Sequence, residues 1–259
     1  MEQTCTKCNT VNLQNARFCK ECGTTIGATI VQGHTIVREL PSAPPNISED
    51  ISGAGEVATC QNETPASDTT QTELTQLIFD ISGSMGGIYD GRLKKVEAAG
   101  RAGITITLEK AQIDPNDEIG VISFNLSANC ILGLSPIHTH KAQILNALQS
   151  MRADGGTDIN EGLKAAGESF AWHRNKVTRR IILLTDGHGG RPLKTAQELK
   201  SRGVIIDVIG IGADPSGVDE KLLRKVASVI EGEVRYRFIQ DSLTLTRTYT
   251  QLAAKTSIR

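Results

Sequence analysis

Aromatic side chains are nearly missing from this chain: Phe, Tyr and Trp together make up 3% of its 259 residues. A platform for stacking nucleobases or sugar rings is hard to build from so few. An excess of one charge is missing too, since 28 Lys and Arg face 29 Asp and Glu. No global field therefore selects nucleic acid or an anionic membrane as the main partner. The longest apolar stretch, VIIDVIGIGA at 204–213, contains Asp207 and is far too short to span a bilayer. The opening residues, MEQTCTKCNT, show neither a basic start nor an apolar core, so no export signal is expected and a cytoplasmic location is. The Asn-x-Ser/Thr matches at Asn46, Asn62 and Asn125 then carry little weight as glycosylation sites. No Gly-Lys-Ser/Thr occurs, which removes a P-loop, and no histidine follows His188.

Cysteine is present, and its spacing is informative. Four of the 6 cysteines form two C-x2-C pairs, Cys5/Cys8 and Cys19/Cys22, separated by ten residues. Each pair forms a knuckle that converges two thiolates, and Asn9 and Gly23 stand where a turn residue is wanted. Four thiolates around Zn2+ leave a local charge of about −2, which Lys7, Arg17 and Lys20 lie close enough to offset. So short a piece buries too little to fold alone, and the metal supplies the folding energy. Residues 1–26 are accordingly expected to be a zinc ribbon, and they resemble the short ribbons at the ends of many microbial proteins. Cys60 and Cys130 stand alone and read as a loop thiol and a small strand hydrophobe.

Residues 27–72 change character. Pro41, Pro44, Pro45 and Pro65 lie among Ser, Thr, Gly, Asn and acids, and no Lys or Arg occurs between Arg38 and Arg92. That composition predicts a flexible acidic tether. TIVQGHTIV at 29–37 fits either a small hairpin or extended linker.

From residue 73 apolar runs at 74–80, 118–126, 179–185 and 203–211 alternate with amphipathic stretches at 92–110, 139–151, 158–172, 192–202 and 218–230. Near-continuous apolar strands between helices imply an α/β domain with a doubly wound, mainly parallel sheet covered on both faces. NCILGLSPI at 129–137 follows the second strand too closely for a crossover helix, so it is expected as an antiparallel edge strand. The last strand is expected at 233–241 and a final helix from Ser242.

In such a sheet ligands bind beyond the carboxyl ends of the strands. Three segments bring oxygen there: Asp80-x-Ser82-x-Ser84 after LIFD, Thr157 in ADGGTDINEGL, and Asp186 in IILLTDG. Five hard oxygens, only two of them charged, suit a divalent hard cation such as Mg2+ (or Mn2+). Two carboxylates just balance its charge and leave it an appetite for an outside anion. These residues and their order resemble the metal-ion-dependent adhesion site of von Willebrand factor type A domains, with all five positions filled by the expected types. The resemblance covers roughly residues 73–259, including the GGTDI loop and VIGIGADPSGVDEKLLRKVA. It implies that Ser82, Ser84 and Thr157 touch the metal, that Asp80 and Asp186 act through water, and that a partner protein's Asp or Glu completes the shell. It also implies an intracellular, non-enzymatic adaptor in assemblies with ATPases, chelatases, or kinase and phosphatase pairs.

Other chemistries remain to be weighed. SGSMG at 82–86 nearly spells a nucleophile elbow around Ser84, but Ser82 replaces its first glycine and His188 is cramped against Asp186. An aspartyl-phosphate site would want an acid where Ser82 stands. GIGADPSG at 210–217 lacks the third glycine of a dinucleotide fingerprint and reads as turn chemistry. His138 and His140 read as a solvated cap, and His173 as the end of a helix. HRNKVTRR at 173–180 reads as a solvated basic edge which, together with a zinc ribbon, keeps a nucleic-acid protein with the large domain as scaffold as one alternative, a metal-assisted hydrolase being the other. The cation could also simply tie three loops together without recruiting a partner.

Overall fold

The computed structural model describes residues 2–4, 11–13, 71–91 and 93–255. The chain divides into two units, Met1–Thr64 and Pro65–Arg259. In the first, β1 (Glu2–Thr4) pairs antiparallel with β2 (Val11–Leu13), Glu2 opposite Leu13. Cys5, Cys8, Cys19 and Cys22, expected to hold zinc, lie outside the described residues. So do Cys60, the hairpin expected over 29–37, and all but the last two residues of the linker expected over 27–72.

The second unit runs β3 (Thr72–Asp80), β4 (Ile88–Asp90), β5 (Leu93–Lys94), α1 (Lys95–Ile113), β6 (Glu118–Phe124), β7 (Ala128–Pro136), α2 (Ile137–Ser150) and α3 (Ile159–Ser169). It continues with β8 (Val177–Thr185), α4 (Leu193–Ser201), β9 (Val204–Ile211), α5 (Glu220–Val226), β10 (Val229–Ile230), β11 (Glu233–Val234), β12 (Tyr236–Ile239) and α6 (Ser242–Leu252). The main sheet has the order β12-β9-β8-β3-β6-β7, parallel throughout except for the antiparallel edge β7.

Strands buried on both faces need apolar residues at every position. On β3, Leu77 and Phe79 enter the core shared with α1, α2 and α6, while Ile78 enters the core shared with α3, α4 and α5. The two-residue period thus feeds both layers from one strand. Against α2, α1 presents Gly100 and Gly103, both buried and both facing Leu148. A Cβ at Gly100 would stand 2.6 Å from the Leu148 carbonyl oxygen, so the close approach of the two helices requires glycine there.

Several boundaries differ from the periodicity reading. The helix expected from residue 92 begins at Lys95, because β4 and β5 form a hairpin around Asp90–Gly91. The helix expected over 218–230 ends at Val226. Beyond it Ser228 joins β9 instead, its hydroxyl accepting from Ile206 N at 2.9 Å and its own N–H reaching Ile206 O at 2.9 Å. The β-branched pair Val229–Ile230 then opens a second small hairpin, which shortens the last main-sheet strand to Tyr236–Ile239. α3 stops at Ser169, so His173 lies past the helix rather than ending it. Cys130 is on a strand, yet it faces solvent instead of packing as a hydrophobe.

The basic run 173–180 is a solvated edge only in part: His173, Asn175 and Lys176 are exposed, while its three arginines are engaged within the domain. Arg174 pairs with Glu118 at 2.6 Å, and Arg179 donates to the carbonyls of Ala171 and Arg174. Arg179 and Arg202 both lie over the Trp172 ring, 5.1 and 3.2 Å from its centroid, and Trp172 Nε1 donates to Gly167 O at 2.9 Å. Arg180 is buried. It donates to Asp207 at 2.7 Å and to the Leu252 carbonyl at 2.7 Å, and it meets Glu73 at 3.3 Å. Lys110 joins the same buried group through Glu73 at 2.8 Å and Asp117 at 3.1 Å. Burial pulls the Arg180 guanidinium down, but Asp207 and Glu73 outweigh it and hold the proton above the usual range. Of the four Lys and Arg side chains that suggested nucleic acid, Arg174 and Arg180 are paired with acids and Arg179 is held by carbonyls and the Trp172 ring.

Two substitutions test this packing. Gly100→Ala raises helix propensity by about 1 kcal/mol, while overpacking against a fixed carbonyl costs about 1–3 kcal/mol. The clash is with backbone, so net destabilisation of about 1 kcal/mol is expected by urea unfolding. Arg180→Met takes one cation from Glu73, which keeps Lys110, and one from Asp207, which keeps Arg235, and removes the donor to the Leu252 carbonyl; a cost of about 1–3 kcal/mol is expected. A melting temperature unchanged by either substitution contradicts the packing described.

Candidate functional site

The chain leaves β3 for β6 on one side and returns to β8 on the other, so the loops beyond these strands diverge and leave a crevice at their carboxyl ends. Asp80 sits at its base with no exposed surface. Its Oδ1 accepts from Ser82 N at 2.8 Å, and its Oδ2 accepts from the Thr185 hydroxyl at 2.6 Å. Burial pushes the Asp80 carboxyl above its ordinary range; the bonds from Thr185 and Ser82 pull it back, and nearby Asp186 adds to the rise.

Ser82 precedes a tight turn, Gly83–Gly86, whose Met85 is buried in the core. That apolar anchor fixes the two serines on either side of Gly83. Their hydroxyl oxygens lie 3.1 Å apart, and Ser84 Oγ donates to Asp186 Oδ1 at 2.8 Å. The other oxygen of Asp186, Oδ2, accepts from Lys95 Nζ at 2.5 Å, from the first residue of α1. Asp186 is itself buried, whereas Ser84 is exposed, so the group opens to solvent on the Ser84 side.

The third loop is stitched to the first by backbone. Gly83 N donates to Gly155 O at 2.8 Å, and Asp154 N donates to Ile81 O at 2.6 Å. Asp158 caps α3 by accepting from Asn160 N at 3.0 Å. Thr157, half-buried, meets the loop after β8: a Cβ on Gly187 would lie 3.5 Å from Thr157 Oγ1 and 3.8 Å from Asp80 Oδ2. A Cβ on Gly189 would lie 2.2 Å from Thr157 O, so only glycine lets the two loops pass at this distance.

Hydrogen bonds thus link Asp80, Ser82, Ser84 and Asp186 in one chain, and Thr157 borders the same crevice across Gly187. Two carboxylates and three hydroxyls form a hard-oxygen set of the kind a divalent cation takes. Among the described residues no three His, Cys, Asp or Glu gather as a metal cluster, so the set depends on its hydroxyls. Sequence reasoning missed two participants. Thr185 was legible only as the residue before the acid on a strand rim. Lys95 was legible only as a cation at a helix start, where the dipole favours anions. His188 is exposed in the loop after Asp186. A cleft of about 620 Å³ between α3 and α4, lined by Trp172, Lys194 and Arg202 among others, contains none of the five.

A family model described as von Willebrand factor type A domain matches residues 76–251. An uncharacterized protein of Synechocystis sp. is 27% identical over 186 residues, covering 70% of this chain and 41% of that protein. Calcium-activated chloride channel regulator 1 of Bos taurus is 28% identical over 181 residues, covering 69% of this chain and 19% of that one. The chain thus spans less than half the length of either relative. A solved von Willebrand factor type A structure from Catenulispora acidiphila superposes with a TM-score of 0.57 at 23% identity, covering 71% of this chain and 42% of that one. At that identity the likeness shows the fold alone.

Thr185→Val removes one of the two hydrogen bonds that answer the buried Asp80 carboxylate, together with the acceptor of Gly187 N at 3.2 Å. A loss of about 1–3 kcal/mol is expected in urea unfolding carried out in EDTA. Wild-type stability in this variant means that Asp80 is satisfied by other means.

Proposed function

The chain belongs to the von Willebrand factor type A family, and we propose that it acts as a non-enzymatic adaptor gripping an acidic residue of another protein through Mg2+ (or Mn2+). The observation that carries this is the two-carboxylate, three-hydroxyl group at the crevice, open on the Ser84 side. Ser82, Ser84 and Thr157 would hold the cation directly, with Asp80 and Asp186 balancing its charge. Bound there, the cation supplies a Lewis-acidic position for an external carboxylate. The surrounding rim must supply most of the specificity, since one bridged carboxylate is a modest anchor. Zinc held by Cys5, Cys8, Cys19 and Cys22 would make the N-terminal segment a second interaction module. A cytoplasmic assembly containing an ATPase, kinase or phosphatase is the setting we propose. Among the described residues no helix is long and apolar enough to cross a membrane.

The competing chemistries have less support. A serine hydrolase of the usual kind pairs its nucleophile with a histidine, whereas the Ser84 hydroxyl donates to the Asp186 carboxylate, whose other oxygen accepts from Lys95. A nucleic-acid role drew on the basic run 173–180, whose guanidinium groups are engaged internally.

Affinity capture of the full chain, read by mass spectrometry in Mg2+ and in EDTA, tests the proposal. Retained partners are expected to fall by about tenfold or more in EDTA, and equally with Asp80→Ala or Ser82→Ala in Mg2+. The same set of proteins at the same yield in all four conditions sinks it.

A further inference from the structure

Lys95 is the feature of the crevice that neither fold nor surface explains. It opens α1, directly after Lys94, so two cations stand where the helix dipole favours anions, and Glu97 is the only acid in that first turn. A lysine placed for helix stability or solubility would extend into water. Instead the Lys95 side chain is 20% exposed and its ammonium reaches Asp186 Oδ2, on a carboxylate whose side chain is fully buried. Asp186 thus has one oxygen turned to Ser84 and the other to a full positive charge.

Resting on the metal-site proposal above, we infer that Lys95 is an internal competitor for the cation. Asp80 and Asp186 together supply two negative charges, enough to balance one divalent ion. With the Lys95 ammonium on Asp186, only one of those charges is left uncompensated. A divalent ion entering beside Ser84 must then either push the ammonium off the carboxylate or sit close to a like charge. Both lower affinity in a site sheltered from solvent, where charges are poorly screened. The same charge, when it stays, leaves the loaded site with a net positive charge, which favours the acidic group of a partner. Lys95 therefore makes loading depend on the concentration of free divalent cation, trading grip on the metal for grip on the acid.

Mn2+ affinity of the full chain, measured by electron paramagnetic resonance of the free ion, tests this without any partner. Lys95→Gln keeps a hydrogen-bond donor for Asp186 but no charge, and Lys95→Met removes both. Each is expected to bind Mn2+ about tenfold more tightly than wild type or better. Lys95→Arg, which keeps the charge, should stay within about threefold of wild type. Circular dichroism melts show which variants are folded, and either neutral variant suffices. A lysine that merely shapes the loop predicts the reverse, weaker binding in both neutral variants, and that result or an unchanged affinity overturns the inference while leaving the metal site standing. Tight binding by the neutral variants where wild type shows none supports it. No Mn2+ binding by any form ends both proposals together.

Discussion

Asp80 is a carboxylate with no access to water, and each of its oxygens is answered from a different piece of chain. Ser82 N holds one and the Thr185 hydroxyl holds the other. An unanswered buried carboxylate is costly enough that these bonds dictate where the loops after β3 and β8 can go. Ser82 is thereby set inside the crevice, Met85 pins the turn that carries Ser84, and Ser84 reaches across to Asp186. The arrangement is built from the floor upward, with the most buried acid deciding the position of the most exposed hydroxyl.

A second set of buried charges lies at the opposite end of the strands. Glu73, Lys110, Asp117, Arg180 and Asp207 bond to one another beneath the sheet, and Arg180 also holds the carbonyl of Leu252 at the end of α6. Here every carboxylate has at least one cation within 3.3 Å, and Arg235 and Lys255 add further pairs to Asp207 and Asp117. At the crevice, among the described residues, two carboxylates share the single cation Lys95, and one side faces solvent. The contrast separates a device for fixing the ends of the fold from one suited to an external ligand.

The layered α/β architecture was legible because strands buried on both faces leave long apolar runs, and β9 is buried along its whole length. The edge strand was legible because too few residues separate it from β6. Helix ends were less so: nothing in a periodicity count says that Ser228 will find the backbone of Ile206, or that Asp90–Gly91 will turn a hairpin before α1. The five oxygen-bearing residues could be picked out because their types and order are distinctive. Lys95 and Thr185 could not, since each acquires its role only when a distant segment arrives. The basic run misled for the same reason, as Arg180 meets Glu73 across 107 positions of sequence.

Scarcity of aromatic residues has a practical side. The chain carries 1 tryptophan, and Trp172 is wedged beneath Arg202 and Arg179 with its indole nitrogen bonded to the end of α3. Its ultraviolet emission is therefore a single-point gauge of how α3 and the start of β8 are seated. Unfolding releases the ring from both guanidinium groups at once, giving an optical signal that comes from one known place in the molecule.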